Sequence, residues 1–168
     1  MTIPSEHDFA AILSRNRSRL VRICRIYAYN REDQEDLFQD ITYQIWRSMG
    51  NFKGNAQIDT YLYRIALNTA MVYKTKQKRR KPTVDVDKTM GPSYEMHLDE
   101  SLDKDNKLAW LYTAIRKLKP VEQSLILLYL DELSYEEMAK ITGLTVNNVG
   151  VKLNRIKKKL SEKVKQAN

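Results

Sequence analysis

Apolar residues recur every three or four positions through most of this chain, and no useful stretch alternates with a period of two. That periodicity predicts an all-α protein. The clearest segment runs from Leu133 to Leu160, LSYEEMAKITGLTVNNVGVKLNRIKKKL. Ser134 followed by Glu137 has the spacing of a capping box, so a short helix is expected to start there. Ala139 is small enough for a close helix crossing, and Gly143 stands where a helix has to stop and turn. Thr145 can cap a second helix, with Val146, Val149, Leu153, Ile156 and Leu160 as its apolar stripe. Two short helices around a glycine turn have the layout of a helix-turn-helix. Off that stripe stand Asn147, Asn148, Lys152, Asn154 and Arg155, whose amide and basic groups can read base edges in a major groove. A helical hairpin inside any all-α protein shares much of this pattern. The two caps, the glycine turn and the basic tail together weigh toward DNA.

The N-terminal part reads as three longer helices. Ser5 with Asp8 opens the first, along which Phe9, Ile12, Leu13, Leu20, Ile23, Cys24 and Tyr27 hold helical spacing. Arg15, Arg17, Arg19, Arg22 and Arg25 fall on its other faces and read as a solvated surface. Asn30 begins a polar turn. The second helix is expected over about Asp33 to Met49, with Leu37, Phe38, Ile41, Ile45, Trp46 and Met49 inward. Asp36, Gln39, Asp40, Tyr43, Gln44 and Arg47 lie away from that stripe. Acids in a first turn suit the helix dipole, but these continue beyond it, which fits a face for a basic protein partner.

Gly50 to Asn55 is a loop, carrying Asn51, Phe52, Lys53 and Asn55 as candidates for function. A third helix should run from near Gln57 to about Arg80, with Leu62, Ile65, Ala66, Thr69 and Val72 inward. Gln57, Tyr61, Arg64, Asn68, Thr75 and Lys78 share another face. At least one of Tyr61, Tyr63 and Tyr73 must be core, since they lie on different faces. Residues 74–81, KTKQKRRK, put six basic side chains in eight positions, among them Lys74, Lys78, Arg79 and Arg80. Such a run favours a polyanion contact, and nearby aromatic and amide groups suit unstacked bases.

Residues 82–103 lose the periodicity, carry Pro82, Gly91 and Pro92, and are acidic between two basic blocks. They read as a flexible linker between a domain over 1–81 and another over 104–168. In the second domain, Leu108, Leu111, Tyr112, Ile115 and Leu118 make one helix. Pro120 suits the first turn of the next, whose buried face is Leu125, Ile126, Leu128 and Tyr129. The expected architecture is two small helical domains, the C-terminal one containing the helix-turn-helix.

Composition narrows the chemistry. A formal charge of +8 and a pI near 9.5 point to a polyanionic partner. The single cysteine, Cys24, sits on an apolar stripe, so no disulfide framework is expected and a reducing cytoplasm fits. No signal peptide and no membrane-crossing run is visible, so a soluble chain without membrane insertion is expected. The only histidines are His7 and His97, which with one cysteine cannot assemble a usual zinc site. Neither phosphate-binding glycine motif occurs, and the acids do not converge on a nucleophile. No metal, cofactor, catalytic residue or small-molecule substrate is expected.

Two separate blocks together resemble a known family. DLFQDITYQIW, the Gly/Asn loop, TYLYRIALN to KQKRR, a linker, and a module ending TVNNVGVKLNRIKKKL follow the order of a compact bacterial RNA polymerase sigma factor of the extracytoplasmic-function type. The resemblance implies that the acidic-faced helix binds a coiled coil of core RNA polymerase through Asp36, Gln39, Asp40 and Gln44, with Trp46 packing the domain. It implies that Asn51, Phe52, Lys53, Asn55, Tyr61, Arg64 and Asn68 open the promoter at its minus-ten element and capture a flipped base. It places minus-thirty-five recognition on Thr145, Asn147, Asn148, Lys152, Asn154 and Arg155. An anti-sigma partner, clamping both domains and possible at the inner membrane, is part of the same implication. Three positions depart from the pattern. Tyr61 stands where the family often has Trp. Gly150 and Val151 stand where recognition helices of the family commonly carry basic or hydroxyl side chains, and Gly150 offers no side chain to a base and costs about 1 kcal/mol against Ala inside a helix. Two other readings stay open at this point: a free-standing helix-turn-helix regulator that binds duplex DNA without polymerase, and a single-strand binder built on residues 1–81.

Overall fold

The structure, a computed structural model, describes residues 5–80 and 106–167. These form seven α-helices and, among the described residues, no strand. The segment 82–103, read above as a linker, lies outside the described residues, as does His97.

Ser5 caps α1 (Glu6–Tyr27) through a capping box with Asp8. Asn30 starts α2 (Arg31–Met49), its side chain accepting from the Asp33 amide at 2.7 Å. After the loop, α3 (Ile58–Arg80) is fastened to α1 at its first turn: Asp59 accepts from Arg15 and from the buried Asn16, both at 2.8 Å. These three helices pack on one another around Leu20, Ile23, Leu37, Ile41, Ile45, Leu62, Ala66 and Leu67. Each of these leucines and isoleucines taken wholly from water contributes about 1.5–3 kcal/mol. Cys24 is fully buried among them, and burial pushes its thiol up to about 12.

The C-terminal half contains α4 (Asn106–Arg116), α5 (Pro120–Leu130), α6 (Tyr135–Thr142) and α7 (Val146–Ala167). Pro120 is the first helical residue of α5, as expected. Ser134 and Glu137 form the predicted capping box, and Gly143 ends α6 in the left-handed region at φ 74°. Thr145 Oγ1 accepts from the Asn148 amide at 3.2 Å and so caps α7. Val149, Leu153, Ile156 and Leu160 form the buried stripe of α7.

Six consecutive residues of α5, Gln123 to Leu128, are buried. A surface helix buries one stripe; a helix buried all round is enclosed. α5 is enclosed because α1 and α3 pack on one side of it and α4, α6 and α7 also pack against it. The buried apolar residues of both halves accordingly form one continuous cluster.

Several inward assignments shift. Val72 is 54% exposed, because the buried side of α3 follows Tyr63, Ala66, Leu67, Ala70 and Lys74 between α2 and α5. Trp46 is 40% exposed and meets Phe9 edge-on at 4.9 Å rather than filling the core. Tyr129 is exposed under the Lys157 ammonium, 3.9 Å from its ring centroid, and Leu127 takes the core place. Val146 is exposed at the start of α7. Of the three tyrosines, Tyr63 is the core one. The arginines of α1 are not simply a solvated face: Arg22 pairs with Asp131 of the other half, and Arg19 and Arg17 lie over the rings of Tyr63 and Phe38.

Candidate nucleic-acid and protein interfaces

On α7, the cap at Thr145 and the buried stripe fix the rotation of the helix. Thr145, Asn147, Asn148, Asn154 and Arg155 are exposed, and Lys152 is half-buried. Val151, 41% exposed, stands three or four residues from Asn147, Asn148, Asn154 and Arg155, so it shares their face. Apolar methyls at such a position can meet a thymine methyl. In the sequence Val151 stands out only as a departure from the family pattern, and its i+3/i+4 spacing is the signal that places it on this face. Gly150 turns elsewhere: a Cβ there would lie 3.4 Å from Cε2 of Tyr135 at the start of α6. Gly150 thus faces the neighbouring helix, and Ala fits with ordinary contact. Gly150→Ala is expected to stabilise the protein by about 0.5–1 kcal/mol through helix propensity, read as a higher urea midpoint.

On α3, Arg64 and Asn68 are exposed along one line, and Lys78, Arg79 and Arg80 are exposed at the end. Asn51, Lys53 and Asn55 of the loop are exposed as well. Phe52 packs on Tyr61 with ring centroids 5.0 Å apart, and the Tyr61 hydroxyl donates to the Ser48 carbonyl at 2.9 Å. Tyr61 is therefore half-buried, its hydroxyl engaged in fastening the loop to the end of α2.

Lys74 differs from the rest of the basic run. It is 7% exposed, its Nζ 3.2 Å from Gln123 Oε1 and 5.8 and 5.7 Å from the ring centroids of Tyr27 and Tyr29. Burial, aided by the charges of Lys78 and Arg116, pulls its amine down to about 8. In this arrangement Lys74 faces α5, so the reading of Lys74 as a solvent-side phosphate contact does not describe its place here.

On α2, Asp36, Gln39 and Asp40 are exposed and Gln44 is half-buried. Beside them lies an open apolar groove of about 410 Å³, lined by Phe9, Phe38, Gln39, Thr42, Tyr43 and Trp46. Helical spacing predicts Phe9, Phe38 and Trp46 as inward residues, whereas in the structure they form the walls of this groove. No helix among the described residues is long and apolar enough to cross a membrane, and none of their His, Cys, Asp or Glu side chains group as a metal site.

Comparison with known families is decisive. The family description "Sigma-70 region 2" matches residues 12–80, and "Sigma-70, region 4" matches residues 108–160. The chain is a sigma-70 family sigma factor. Its function is that of the family, directing RNA polymerase to promoters, and it belongs to the extracytoplasmic-function type. The ECF RNA polymerase sigma-E factor of Escherichia coli strain K12 is 32% identical over 141 residues, covering 79% of this chain and 74% of the relative. That of Haemophilus influenzae is 28% identical over 165 residues, covering 93% and 87%. Two solved structures share the fold of this sigma factor. The sigma factor RpoE of Bartonella quintana, bound to the anti-sigma factor NepR, aligns with a TM-score of 0.74 at 22% identity, over 94% of this chain and 97% of that one. CnrH with the cytosolic domain of CnrY aligns at 0.70 and 20% identity, over 98% and 92%. A region 2 module has no place in a free-standing helix-turn-helix regulator, and the single-strand reading gives α7 no task, so both readings fall away.

Proposed function

We propose that the outer face of α2, with Asp36, Gln39, Asp40 and Gln44 beside the aromatic groove, docks core RNA polymerase. The loop residues Asn51, Phe52, Lys53 and Asn55, with Tyr61, Arg64 and Asn68, act at the minus-ten element. Lys78, Arg79 and Arg80 hold phosphates there, and Lys74 joins them when it is uncovered. Thr145, Asn147, Asn148, Lys152, Asn154 and Arg155, with Val151, read the minus-thirty-five element as duplex. The observation that carries this is the presence of both modules in one chain, each with its polar and basic residues outward.

The division of labour follows from the chemistry of each surface. Cations neutralise phosphate and release counterions without choosing a sequence. Amides and Arg on a capped helix can choose bases. Acids beside an apolar groove suit a helix that presents both basic and apolar side chains, and steer it by charge. Unstacking a base costs a few kcal/mol, which capture of that base by the α3 module offsets. The chain makes and breaks no covalent bond; polymerase carries the chemistry. It works in the cytoplasm, where polymerase and promoter meet. An anti-sigma factor is a further partner, a reading supported by the shared fold with RpoE bound to NepR.

The test is transcription from a cognate promoter by core polymerase with and without the purified chain, together with co-purification of polymerase subunits from native cells. Transcription without the chain, or failure to associate, sinks the reading. Arg155→Ala is expected to weaken upstream duplex binding by the roughly 1–3 kcal/mol of one lost base contact, seen in a DNA titration. An unchanged affinity removes Arg155 from the recognition set.

A further inference from the structure

The buried stripe of α7 fixes which residue stands farthest from the core. At about 100° per residue, the buried Val149, Leu153, Ile156 and Leu160 centre about 170° around the helix from Val151. Exposure agrees with that rotation. Gly150 and Lys152, roughly a quarter turn to either side of Val151, are half-buried, while Asn147, Asn148, Asn154 and Arg155 are exposed. On the Gly150 side the face is closed by the Tyr135 ring of α6. Val151 is thus the crest of the outward face. Asn147 and Asn154 flank it on the α6 side, and Asn148 and Arg155 flank it on the other. The exposed Lys158 continues the crest two turns on, about 10 Å away.

A helix seated in a major groove brings its crest nearest the base edges. Valine offers those edges neither a donor nor an acceptor. Set against guanine O6 and N7, or against the cytosine amine, it would strip water from polar atoms and return no bond. The apolar group that the groove presents is the C5 methyl of thymine. Inside a helix the branched side chain of Val keeps one strongly preferred rotamer, so its two methyls are already held in place before DNA arrives. The flanking residues point the same way. Carboxamides match adenine N6 and N7, and three of the four residues beside Val151 are asparagines. Among the described residues, the side chains of Asn147, Asn148, Asn154 and Arg155 make no bond to the protein, which leaves them available to bases.

We propose that Val151 reads a thymine methyl within the minus-thirty-five element, so that the pair beneath the crest of α7 is A·T with its thymine toward the helix. The proposal rests on the reading of α7 as the helix that enters the duplex. Selection here works by exclusion as well as by contact. A hydroxyl or a cation at position 151 would bond to a polar edge, whereas Val leaves such an edge dry and unpaired. A duplex carrying G·C at that pair is therefore a poor target for this chain, however well the flanking contacts fit.

The test uses core RNA polymerase loaded with the full chain, and promoter duplexes randomised across the upstream element. Selection by the wild type should return thymine at one pair, and Val151→Ser should lose the preference at that pair alone. On the selected duplex each thymine is then replaced in turn by deoxyuridine, which pairs identically and lacks the methyl. One replacement should weaken binding of the wild type about fourfold, the worth of one buried methyl group. The same replacement should leave Val151→Ala unaffected, because that variant has already lost the partner of the methyl. Val151 is exposed, so both variants should fold as the wild type does by circular dichroism. A selected element in which no thymine methyl is coupled to Val151 overturns the contact and leaves α7 as the duplex-reading helix. A library from which no upstream element emerges overturns both.

Discussion

Reversing the charge of the α2 face, Asp36→Arg with Asp40→Arg, is expected to reduce capture of core RNA polymerase at least about a hundredfold. The basis is sign rather than packing. Both carboxylates are exposed beside the aromatic groove, so the fold does not depend on them. A basic partner drawn to two negative charges would meet two positive ones. Like-charge juxtaposition costs several kcal/mol, and every 1.4 kcal/mol is a factor of ten. Titration of labelled core with each protein measures it, and promoter-dependent transcription should fall in parallel. Circular dichroism should be unchanged. If the double variant binds core as the wild type does, the docking face lies elsewhere.

The second large effect concerns the end of α3. Replacing Lys78, Arg79 and Arg80 together by Gln removes three exposed cations without touching the buried side of the helix. If each neutralises one phosphate, the slope of log affinity against log salt should fall by about 3 × 0.7 for melted strand, or 3 × 0.9 for duplex, close to 2–3 units. At physiological salt the loss of promoter affinity should be about a hundredfold or more, and it should be similar for cognate and scrambled upstream sequences, because these cations choose no base. An unchanged salt slope would show that the basic run faces solvent and nothing else.

What the sequence made legible follows from local rules. Caps at Ser5, Ser134 and Thr145, the left-handed Gly143 and the stripe Val149, Leu153, Ile156 and Leu160 each depend on neighbours within four residues. These were readable from spacing alone. Val72, Trp46, Tyr129 and Val146 were not, because periodicity gives the phase of a buried stripe and not its width. The width is set by which helices arrive alongside. Lys74 shows the same limit more sharply: a lysine in a basic run looks solvated until α5 packs over it. Arg22 and Asp131 are separated by more than a hundred positions, and nothing near either one foretells their meeting. The groove is not legible in the sequence for a related reason. Phe9 comes from α1 while Phe38 and Trp46 come from α2, so the apolar residues look like core until the two helices are placed together.

The burial of Cys24 has a practical consequence. Its thiol is fully enclosed and raised to about 12, so at neutral pH almost none of it is the thiolate that reacts with alkylating reagents. A cysteine introduced at an exposed position such as Ser161 or Ser14 would then take a maleimide dye selectively, with the native residue left in place. One fluorophore on each half would report the distance between them in real time as the protein is loaded onto its enzyme, in an otherwise unaltered chain.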